Sequence, residues 1–529
     1  MTKKLSLFLA IVFVLASCLT GAFAAETPEF GKFEDLTHIK YLSTDMAATG
    51  TSEYNANDPT RKSPTENAWI DGYKEFLNIE LERIIAEDGT ALNARLNTGI
   101  ASGDLPDIMC VDKSMFYVLA ENGVLADLSD AYDNYAYKNY LNQIEESYPT
   151  LRQVGMYDGE MLGYGRCGNC YNSTAVLWVR QDWLDKVGKS VPTTIDELVD
   201  VAQAFVDAKL GGENTVGLEF YDIGDDIIAA YGAVMGAWNP QADGTYVKGD
   251  VMPEMKDGLL KMQEIYKKGL IKSDFAVAGT VDEDISNGVC GLLISEAWRG
   301  VTCIQTNFNN DPEAVWVPAL VPTLDGNPVK LYTNNTVGSF LCVNAEFEHP
   351  EALFMLVEFE NAMRFSADPE ICARFNVCED GYQMWNISAF RDTIRADTDL
   401  YKGQLIREGL ANNTPVEDMN PIALSNYELC LKAKNGDRAY LGRLLAFTDG
   451  YSVVDPLLAD GYLLGAYNGP ITENMTLYEA SINEALKAAM IKVIMGEDIS
   501  VYEQAVDTWY TSGGQAITDE VNEYYKSLS

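Results

Sequence analysis

Short apolar segments alternate with amphipathic helical patterns along almost the whole chain of 529 residues, and no internal repeat or low-complexity linker interrupts them. Strands that alternate with helices predict a layered α/β architecture. The length suffices for two or three ordinary domains or for one large two-lobed body. Because no linker separates the parts, we expect two α/β lobes that the chain crosses several times, with a hinge between them.

The strand pattern occurs in six segments, at 38–43, 106–111, 175–180, 216–221, 289–295 and 340–344. Helix starts are marked by the capping box, a Ser or Thr followed three residues later by Glu, at Thr194, Thr476 and Ser500. Apolar residues recur at helical spacing from Ile195 to Phe205, which predicts an amphipathic helix after the first box.

The charge balance limits the classes of partner. Seventy-nine acidic residues stand against 38 basic ones, a formal net charge of -41. Such a surface repels nucleic acid and anionic lipid, and serves either to keep the protein soluble or to attract cations. The two histidines, His38 and His349, lie far apart and give little support for a zinc site or a histidine base.

The amino terminus has the features of an export signal. Lys3 and Lys4 precede an apolar run at 5–16 that is too short to span a bilayer as a stable helix. Cleavage has two interpretations: residues 15–18 resemble a lipobox that would lipidate Cys18, and Ala22-Phe23-Ala24 fits ordinary cleavage after residue 24. Both place the mature protein outside the cytoplasm, either lipid-anchored at the cell surface or secreted.

Three groups of segments resemble one protein family. They are Leu-Asn-Thr-Gly-Ile-Ala-Ser-Gly-Asp-Leu-Pro-Asp-Ile at 96–108, an Arg-Gln-Asp-Trp-containing stretch at 177–198, and the tail segments 467–470, 494–496 and 513–522. These segments resemble the family 1 extracellular solute-binding proteins of ABC importers, in the large lipoprotein-type branch of Gram-positive bacteria. The resemblance implies the type II periplasmic-binding-protein-like fold and a monomer. It also implies capture of an oligosaccharide or other small polar solute by hinge closure, and delivery to the permease subunits of an ABC importer.

The resemblance also predicts how the chain divides. We expect residues 1–24 to be the signal peptide, 30–165 to begin lobe 1 and 175–335 to form lobe 2. Residues 336–420 would return to lobe 1, and 421–529 would form a helical segment that packs on lobe 2 and the hinge. The crossings between lobes would lie near 166–174 and 336–340.

The strongest candidates for ligand contact are Trp298 and Arg299, which directly follow the apolar strand at 289–295. The stretch resembles the one in the family's maltose-binding member where a tryptophan stacks on the sugar. An indole can bury the C–H face of a pyranose, and a guanidinium offers forked donors to hydroxyl groups. The alternative is that Trp298 only closes the end of the sheet.

Further candidates follow from their positions. Asp112 ends the strand at 106–111, on the side where open α/β sheets bind ligands. Asp58 lies in a polar loop, Tyr164 precedes the first crossing, and Trp238 and Tyr451 lie in turn-rich segments. Each of these residues could equally be peripheral to the ligand.

Two stretches depart from the family pattern. Residues 207–214 lack alternating oxygen ligands, so we expect no calcium there, no other metal and no cofactor. Cys167 and Cys170 form a C-x-x-C pair that could be a disulfide, half of a metal site or two incidental thiols. We expect a disulfide or a pair of free thiols near the cleft.

Two other functions are alternatives to binding. A secreted carbohydrate-active enzyme would use two carboxylates, but carboxylates are too abundant here to locate such a pair. The chain also lacks the Gly-x-Ser-x-Gly, His-Glu-x-x-His and Walker motifs of common enzyme classes. A surface adhesin would show repeats or an all-β pattern. We therefore expect a binding protein that is not an enzyme.

Overall fold

The computed structural model of the protein describes residues 31–44, 64–135, 140–148, 151–276, 281–333, 337–376, 384–391, 393–416, 419–465 and 467–527. The predicted signal peptide, the predicted lipidation site Cys18 and the candidate Asp58 lie outside these ranges. Within them, no helix is both long and apolar enough to cross a membrane.

Fifteen strands occur in the described ranges. They are β1 (Thr37–Thr44), β2 (Ile79–Ala86), β3 (Ile108–Asp112), β4 (Met156–Tyr157), β5 (Glu160–Met161), β6 (Tyr164–Arg166), β7 (Ala175–Arg180), β8 (Glu219–Phe220), β9 (Trp238–Pro240), β10 (Tyr246–Lys248), β11 (Leu292–Glu296), β12 (Trp316–Ala319), β13 (Leu331–Tyr332), β14 (Ser339–Val343) and β15 (Leu463–Leu464). All six predicted strand segments are confirmed, with limits that differ by a few residues.

The α-helices of the same ranges are α1 (Ala68–Gly72), α2 (Gly89–Ser102), α3 (Lys113–Glu121), α4 (Ser129–Tyr135), α5 (Tyr140–Ser147), α6 (Leu151–Val154), α7 (Gln181–Val187), α8 (Ile195–Asp207), α9 (Asp225–Ala229), α10 (Met255–Lys267), α11 (Val281–Ser286), α12 (Cys303–Asn310), α13 (Ala352–Arg364), α14 (Pro369–Phe375), α15 (Thr398–Asn412), α16 (Pro421–Lys434), α17 (Leu441–Leu445), α18 (Tyr451–Ala459), α19 (Ala480–Ile494), α20 (Ser500–Trp509) and α21 (Gln515–Ser527). Helix α8 begins with the predicted capping box: Thr194 accepts from the backbone of Glu197, whose side chain accepts from Thr194 in return.

Lobe 1 is built on a five-stranded sheet in the order β2-β1-β3-β14-β6. Strands β2, β1 and β3 are parallel, whereas β14 pairs antiparallel with both β3 and β6. The parallel strands are connected through helices, because a parallel pair needs a crossover that a tight turn cannot supply. Strand β14 comes from far along the chain, so the chain returns to lobe 1 after it has built the second sheet.

Lobe 2 is built on a four-stranded sheet in the order β12-β7-β11-β8. Strand β7 is antiparallel to both of its neighbours, and β8 runs parallel to β11. Val176 and Trp178 of β7 belong to one hydrophobic core, whereas Leu177 and Val179 belong to another. Because successive side chains of a strand point to opposite faces, this sheet is covered on both faces.

The helices after residue 397 cover both faces of the lobe 2 sheet. Ile406 of α15 and Val454 of α18 lie in the core that contains Trp178. Met490 of α19 and Val521 of α21 lie in the core on the opposite face. The core of Trp178 also includes Tyr41 and Phe340 of the lobe 1 sheet, so it is shared by the two lobes, and the return of 336–420 to lobe 1 stays a prediction.

The two sheets are joined by crossings that contact each other. One runs from the end of β6 to the start of β7, and another leads from β13 toward β14. The Thr333 hydroxyl of the second crossing lies 3.3 Å from the Thr174 hydroxyl and 3.4 Å from that of Ser173 in the first. Thr174 and Thr333 are each 1% exposed. Ser173 and Thr174 lie within the predicted crossing at 166–174, whereas Thr333 lies just before the second predicted crossing at 336–340.

Candidate functional site

The candidate site lies at one edge of the lobe 2 sheet. Strands β8 and β11 are parallel neighbours, so their carboxyl ends meet at the same edge. Tyr221 directly follows β8, and a 3-10 turn over Ala297–Val301 directly follows β11. Open α/β sheets bind ligands at the carboxyl ends of their strands, so this edge of the sheet is where a ligand site is expected.

An arginine stacked between two aromatic rings occupies this edge. The Arg299 guanidinium carbon lies 4.1 Å from the ring centroid of Trp298 and 4.3 Å from that of Tyr221. We call these three residues the recognition stack. Arg299 is 8% exposed, Tyr221 is 40% exposed, and Trp298 is intermediate. The rings therefore reach solvent while the cation between them is covered.

Carboxylates fix the orientation of Arg299. Its Nη1 donates to both carboxylate oxygens of Asp282 at 3.0 Å, and its Nε donates to Glu296 at 2.9 Å. The Tyr221 hydroxyl donates to the same Asp282 at 2.9 Å. Burial opposes the charge of Arg299 most strongly, but the charges of Glu296, Tyr221 and Asp282, together with the hydrogen bond to Glu296, outweigh it, and the guanidinium pKa is raised. Because it bonds within the protein, the cation holds the two rings in place.

The turn that carries Trp298 rests on a helix through close backbone contacts. A side chain at Gly300 would collide with the backbone oxygen of Gly442 in α17, and one at Gly442 would collide with the oxygen of Gly300. A Cβ added at Gly450 would lie 3.2 Å from the Ala297 side chain. Glycine at these positions lets the turn and the helix approach each other at backbone distance.

Two further carboxyl groups, those of Asp225 and Asp226, begin helix α9, which follows Tyr221 after a short turn. Burial, with the nearby charge of Glu296, raises the pKa of Asp226 to about 7. Burial, with the charges of Asp222 and Asp226, raises the pKa of Asp225 to about 8. The Oδ1 atom of Asp225 is buried and has no hydrogen-bond partner among the described residues. These groups can accept hydrogen bonds from a bound molecule.

A family model described as "Bacterial extracellular solute-binding protein" matches residues 68–357, more than half of the chain. The chain belongs to this family. Lipoprotein LipO of Bacillus subtilis (strain 168) is 21% identical over 488 residues, which cover 89% of this chain and 90% of LipO.

Solved structures of other solute-binding proteins share the fold. The alginate-binding protein AlgQ2 matches with a TM-score of 0.58 at 15% identity, over 93% of this chain and 99% of that one. The S.pneumoniae ABC-transporter substrate-binding protein FusA, in complex with fructo-nystose, matches with a TM-score of 0.56 at 14% identity, over 93% and 99%. The predicted two-lobed type II fold is thereby confirmed for this solute-binding protein.

The structure brings Trp298 and Arg299 together, but Asp112 lies on the other lobe. Asp112 is exposed at the end of β3 and accepts from the backbone N–H of Met115 at 2.8 Å. It also accepts from the Asn93 amide at 3.2 Å. Its carboxylate therefore caps helix α3, as Asp often does at this position. A ligand contact by Asp112 stays a prediction.

Three predicted aromatic residues are buried away from solvent. Tyr164 is 1%, Tyr451 is 2% and Trp238 is 4% exposed. Tyr164 packs edge-on against Phe354, at 5.5 Å between ring centroids, and the Tyr451 hydroxyl donates to Asn172. All three side chains pack within the protein in this structure, so we leave them out of the candidate site.

The C-x-x-C pair lies on the first crossing between the lobes. Cys167 and Cys170 are buried, and both are free thiols in the structure. The Cys167 thiol donates to the carbonyl oxygen of Ile394 at 3.3 Å. Burial raises the pKa of Cys167 well above its usual value and that of Cys170 to about 11. Thiols with such pKa values are poor nucleophiles at neutral pH.

Sequence reasoning missed Tyr221, Asp226 and Asp282. Tyr221 and Asp226 lie more than 70 positions before Trp298 and Asp282 lies 16 before it, and no local motif marks any of them. One signal was available for Tyr221, because it ends a segment that we predicted to be a strand. The carboxyl end of a strand next to β11 would have placed it at the same edge.

Proposed function

We propose that this solute-binding protein captures an oligosaccharide outside the cytoplasm and delivers it to the permease subunits of an ABC importer. The observation that carries the sugar assignment is the recognition stack. A partly exposed indole and a phenol ring offer flat apolar faces to pyranose C–H groups, and the carboxylates around them accept hydrogen bonds from hydroxyls. FusA, which shares the fold, is named as a fructooligosaccharide ABC transporter substrate-binding protein.

Hinge closure is the proposed capture mechanism. The two crossings contact each other through the hydroxyls of Ser173, Thr174 and Thr333. They form a narrow connection about which the two lobes can rotate. A sugar that contacts both lobes binds the closed form more tightly than the open form, and this difference in affinity shifts the population. Closure also excludes water and so strengthens each polar contact.

We propose that the protein binds its sugar without chemical change. The two carboxylates bonded to the stack, Asp282 and Glu296, are not free, because Asp282 accepts from Arg299 Nη1 at 3.0 Å through both of its oxygens. Glu296 accepts from Arg299 at 2.9 Å and is occupied in holding that side chain. The alternative is a glycoside hydrolase that uses such a pair. We further propose a monomer tethered to the cell surface or secreted, as its relation to lipoprotein LipO suggests.

The experiment is a thermal-shift screen of the mature protein against mono- and oligosaccharides, with Trp298→Ala in parallel. A sugar at 100 times its Kd stabilises the fold by about 2.7 kcal/mol, which raises the melting temperature measurably. The matched control is Trp385→Ala. Trp385 is also partly exposed and lies 4.5 Å from an arginine guanidinium, that of Arg364, but it belongs to lobe 1.

The expected result is a sugar that stabilises wild type and Trp385→Ala, fails to stabilise Trp298→Ala, and is recovered intact. Cleaved sugar would favour the hydrolase. If the sugar binds equally to wild type and Trp298→Ala, the stack is not the site. Small-angle scattering with the bound sugar tests closure, because an unchanged radius of gyration would contradict the hinge mechanism.

A further inference from the structure

Three polar side chains lie side by side at one edge of the lobe 1 sheet. Ser339, the first residue of β14, pairs with Asp112 at the end of β3 and with Arg166 at the end of β6. Directly paired residues of neighbouring strands place their side chains on the same face of the sheet. Accordingly, Arg166 Nη1 donates to the Ser339 hydroxyl at 3.5 Å. We call Asp112, Ser339 and Arg166 the lobe 1 row.

The lobe 1 row and the recognition stack lie at the two ends of the first crossing between the lobes. Arg166 is the last residue of β6, and the chain runs from there through the crossing into β7. Ala175, the first residue of β7, pairs with Glu296 at the end of β11. Trp298 follows Glu296 two residues later. One short segment therefore joins the edge of lobe 1 that carries the row to the edge of lobe 2 that carries the stack.

The edge of lobe 1 that carries the row meets lobe 2 and is open to solvent. Lys113, next to Asp112, donates to the carbonyl oxygen of Tyr467 at 3.1 Å, and Tyr467 packs against the core on the outer face of the lobe 2 sheet. Asp112 is exposed, and the other two members of the row are partly exposed. A Cβ added at Gly338, beside the row, would meet no atom of the described residues within 4 Å. A ligand between the lobes can therefore reach the row.

The row combines hydrogen-bond donors with acceptors. Neighbouring strands lie about 4.8 Å apart, so the Cα atoms of Asp112 and Arg166, on either side of β14, are about 10 Å apart. One sugar unit with its hydroxyl groups spans such a distance. A guanidinium donates to hydroxyl and ring oxygens, and a carboxylate offers about four lone pairs to hydroxyl donors. Asp112 accepts one bond on each oxygen, from Met115 and from Asn93, and so can accept more.

We infer that the lobe 1 row binds the same sugar that the recognition stack holds, through Asp112 and Arg166, and that this second contact drives closure. The inference deepens the proposed function and rests on it. A sugar that touched lobe 2 alone would bind the open and closed forms equally and would leave their ratio unchanged. Contacts of the row with the sugar form as lobe 1 rotates onto it, so they supply the difference in affinity that closure requires.

The test compares variants of the row with matched variants elsewhere on lobe 1. Asp112→Asn removes the charge but keeps an oxygen that can cap α3, and its control is Asp368→Asn at the exposed cap of α14. Arg166→Gln removes the guanidinium, and its control is Arg374→Gln, at another partly exposed arginine of lobe 1. Melting temperatures show which variants are folded, and Asp112→Asn carries the test alone if Arg166→Gln does not fold.

The probes are neutral trisaccharides of glucose, galactose, mannose and fructose, together with any other sugar that stabilises wild type in the thermal-shift screen. Calorimetry gives the dissociation constant, and small-angle scattering at saturating sugar gives the compaction. We expect each row variant to bind about 10- to 100-fold more weakly than wild type, because it loses a hydrogen bond to a charged group. At saturation it should compact less than wild type, whereas both controls should match wild type in affinity and compaction.

A folded row variant that binds and compacts as wild type does would overturn the inference and leave the proposed function standing. Weaker binding with full compaction at saturation would also overturn it, because the row would then not drive closure. If wild type binds none of these sugars, the proposed function falls together with the inference.

Discussion

Arg180 of the Arg-Gln-Asp-Trp motif forms a buried ion pair, and the variant Arg180→Met would measure how much this pair stabilises the fold. The side chain of Arg180 is 2% exposed, and its Nε and Nη2 donate to the two oxygens of Asp182 at 2.7 and 2.8 Å. Nη2 also donates to Asp311 at 2.7 Å. Removal of one partner from a buried ion pair costs about 3–5 kcal/mol, because the other charge is left without compensation.

The melting temperature of the variant follows from that cost. The melting temperature of a domain of roughly 150–250 residues falls by about 2–4 °C for each kcal/mol of stability lost. A cost of about 3 kcal/mol therefore predicts that the melting temperature falls by about 6–12 °C. The matched control is Lys209→Met. This lysine lies 2.6 Å from Glu213, but their side chains are 58% and 82% exposed. Exposed pairs contribute less than about 1 kcal/mol, so we expect a change of at most a few degrees.

A double variant, Arg180→Met with Asp182→Asn, measures how much of the stability loss comes from the Asp182 carboxylate that is left unpaired. Asp182 Oδ1 also accepts from the backbone N–H of Val315 at 3.1 Å, a bond that an Asn oxygen can keep. The double variant should therefore recover a large part of the loss. Calorimetry of all variants, with sugar affinity measured alongside, checks this reasoning. Equal losses for Arg180→Met and Lys209→Met would refute it, as would loss of sugar affinity at unchanged stability.

The pH dependence of the same pair follows from its pKa. Burial opposes the ionisation of Asp182, yet its hydrogen bonds and ion pair with Arg180 hold its pKa below the usual value. Its contribution to stability is present above the unfolded-state pKa of about 3.9 and is lost as the pH falls through the folded-state pKa. Arg180→Met should therefore differ less from wild type at pH 3 than at pH 7.

Three further predictions follow. Burial raises the pKa of Glu219 to about 8, so stability should fall as the pH rises from about 4 through 8. Glu219→Gln should flatten that fall in a series of melting curves; an unchanged slope would contradict the assignment. Cys167 and Cys170 should resist alkylation in the folded protein and react once it is unfolded without reductant. The mass of the intact protein measures how many thiols have reacted, and two thiols that stay unreactive after unfolding would indicate a disulfide. Tyr221→Ala should weaken sugar binding, whereas Tyr401→Ala, which removes a similarly exposed ring 4.9 Å from an arginine, should not.

Much of the fold could be predicted from local sequence. Six strands were identified because their apolar runs are bounded by turn residues. Strand β2 was missed because Asn78 alone separates Ile79 from the apolar residues of the preceding helical turn, so the two patterns merge. The capping boxes at Thr476 and Ser500 were wrong. The Thr476 hydroxyl donates to the Thr472 carbonyl within a helical turn. At the start of α20 the acceptor is Asp498, which bonds the backbone N–H of Ser500 at 3.0 Å, and the Ser500 side chain makes no capping bond.

The site was less predictable than the fold, since it depends on contacts between distant segments. Trp298 and Arg299 were found together because they adjoin in sequence and follow a strand. Trp238 was placed at the surface because its segment is rich in turn residues. In the structure, Asn239 bonds to the backbone of Val234 and Ala237, and the strand pair that results turns the indole into the core. No local pattern reveals which side of such a turn faces inward.

The contact between Gly300 and Gly442 has a consequence for how specificity can change. The turn that presents Trp298 is seated on helix α17 through main-chain atoms, so its position does not depend on the identity of the side chains that it displays. Exchange of those side chains would leave the backbone contact between the turn and α17 unchanged. Any larger residue at Gly300 or Gly442 would push the turn away from the helix. Substitutions at positions 221 and 298, whether natural or in a designed library, can thus change which sugar is bound while the turn keeps its position.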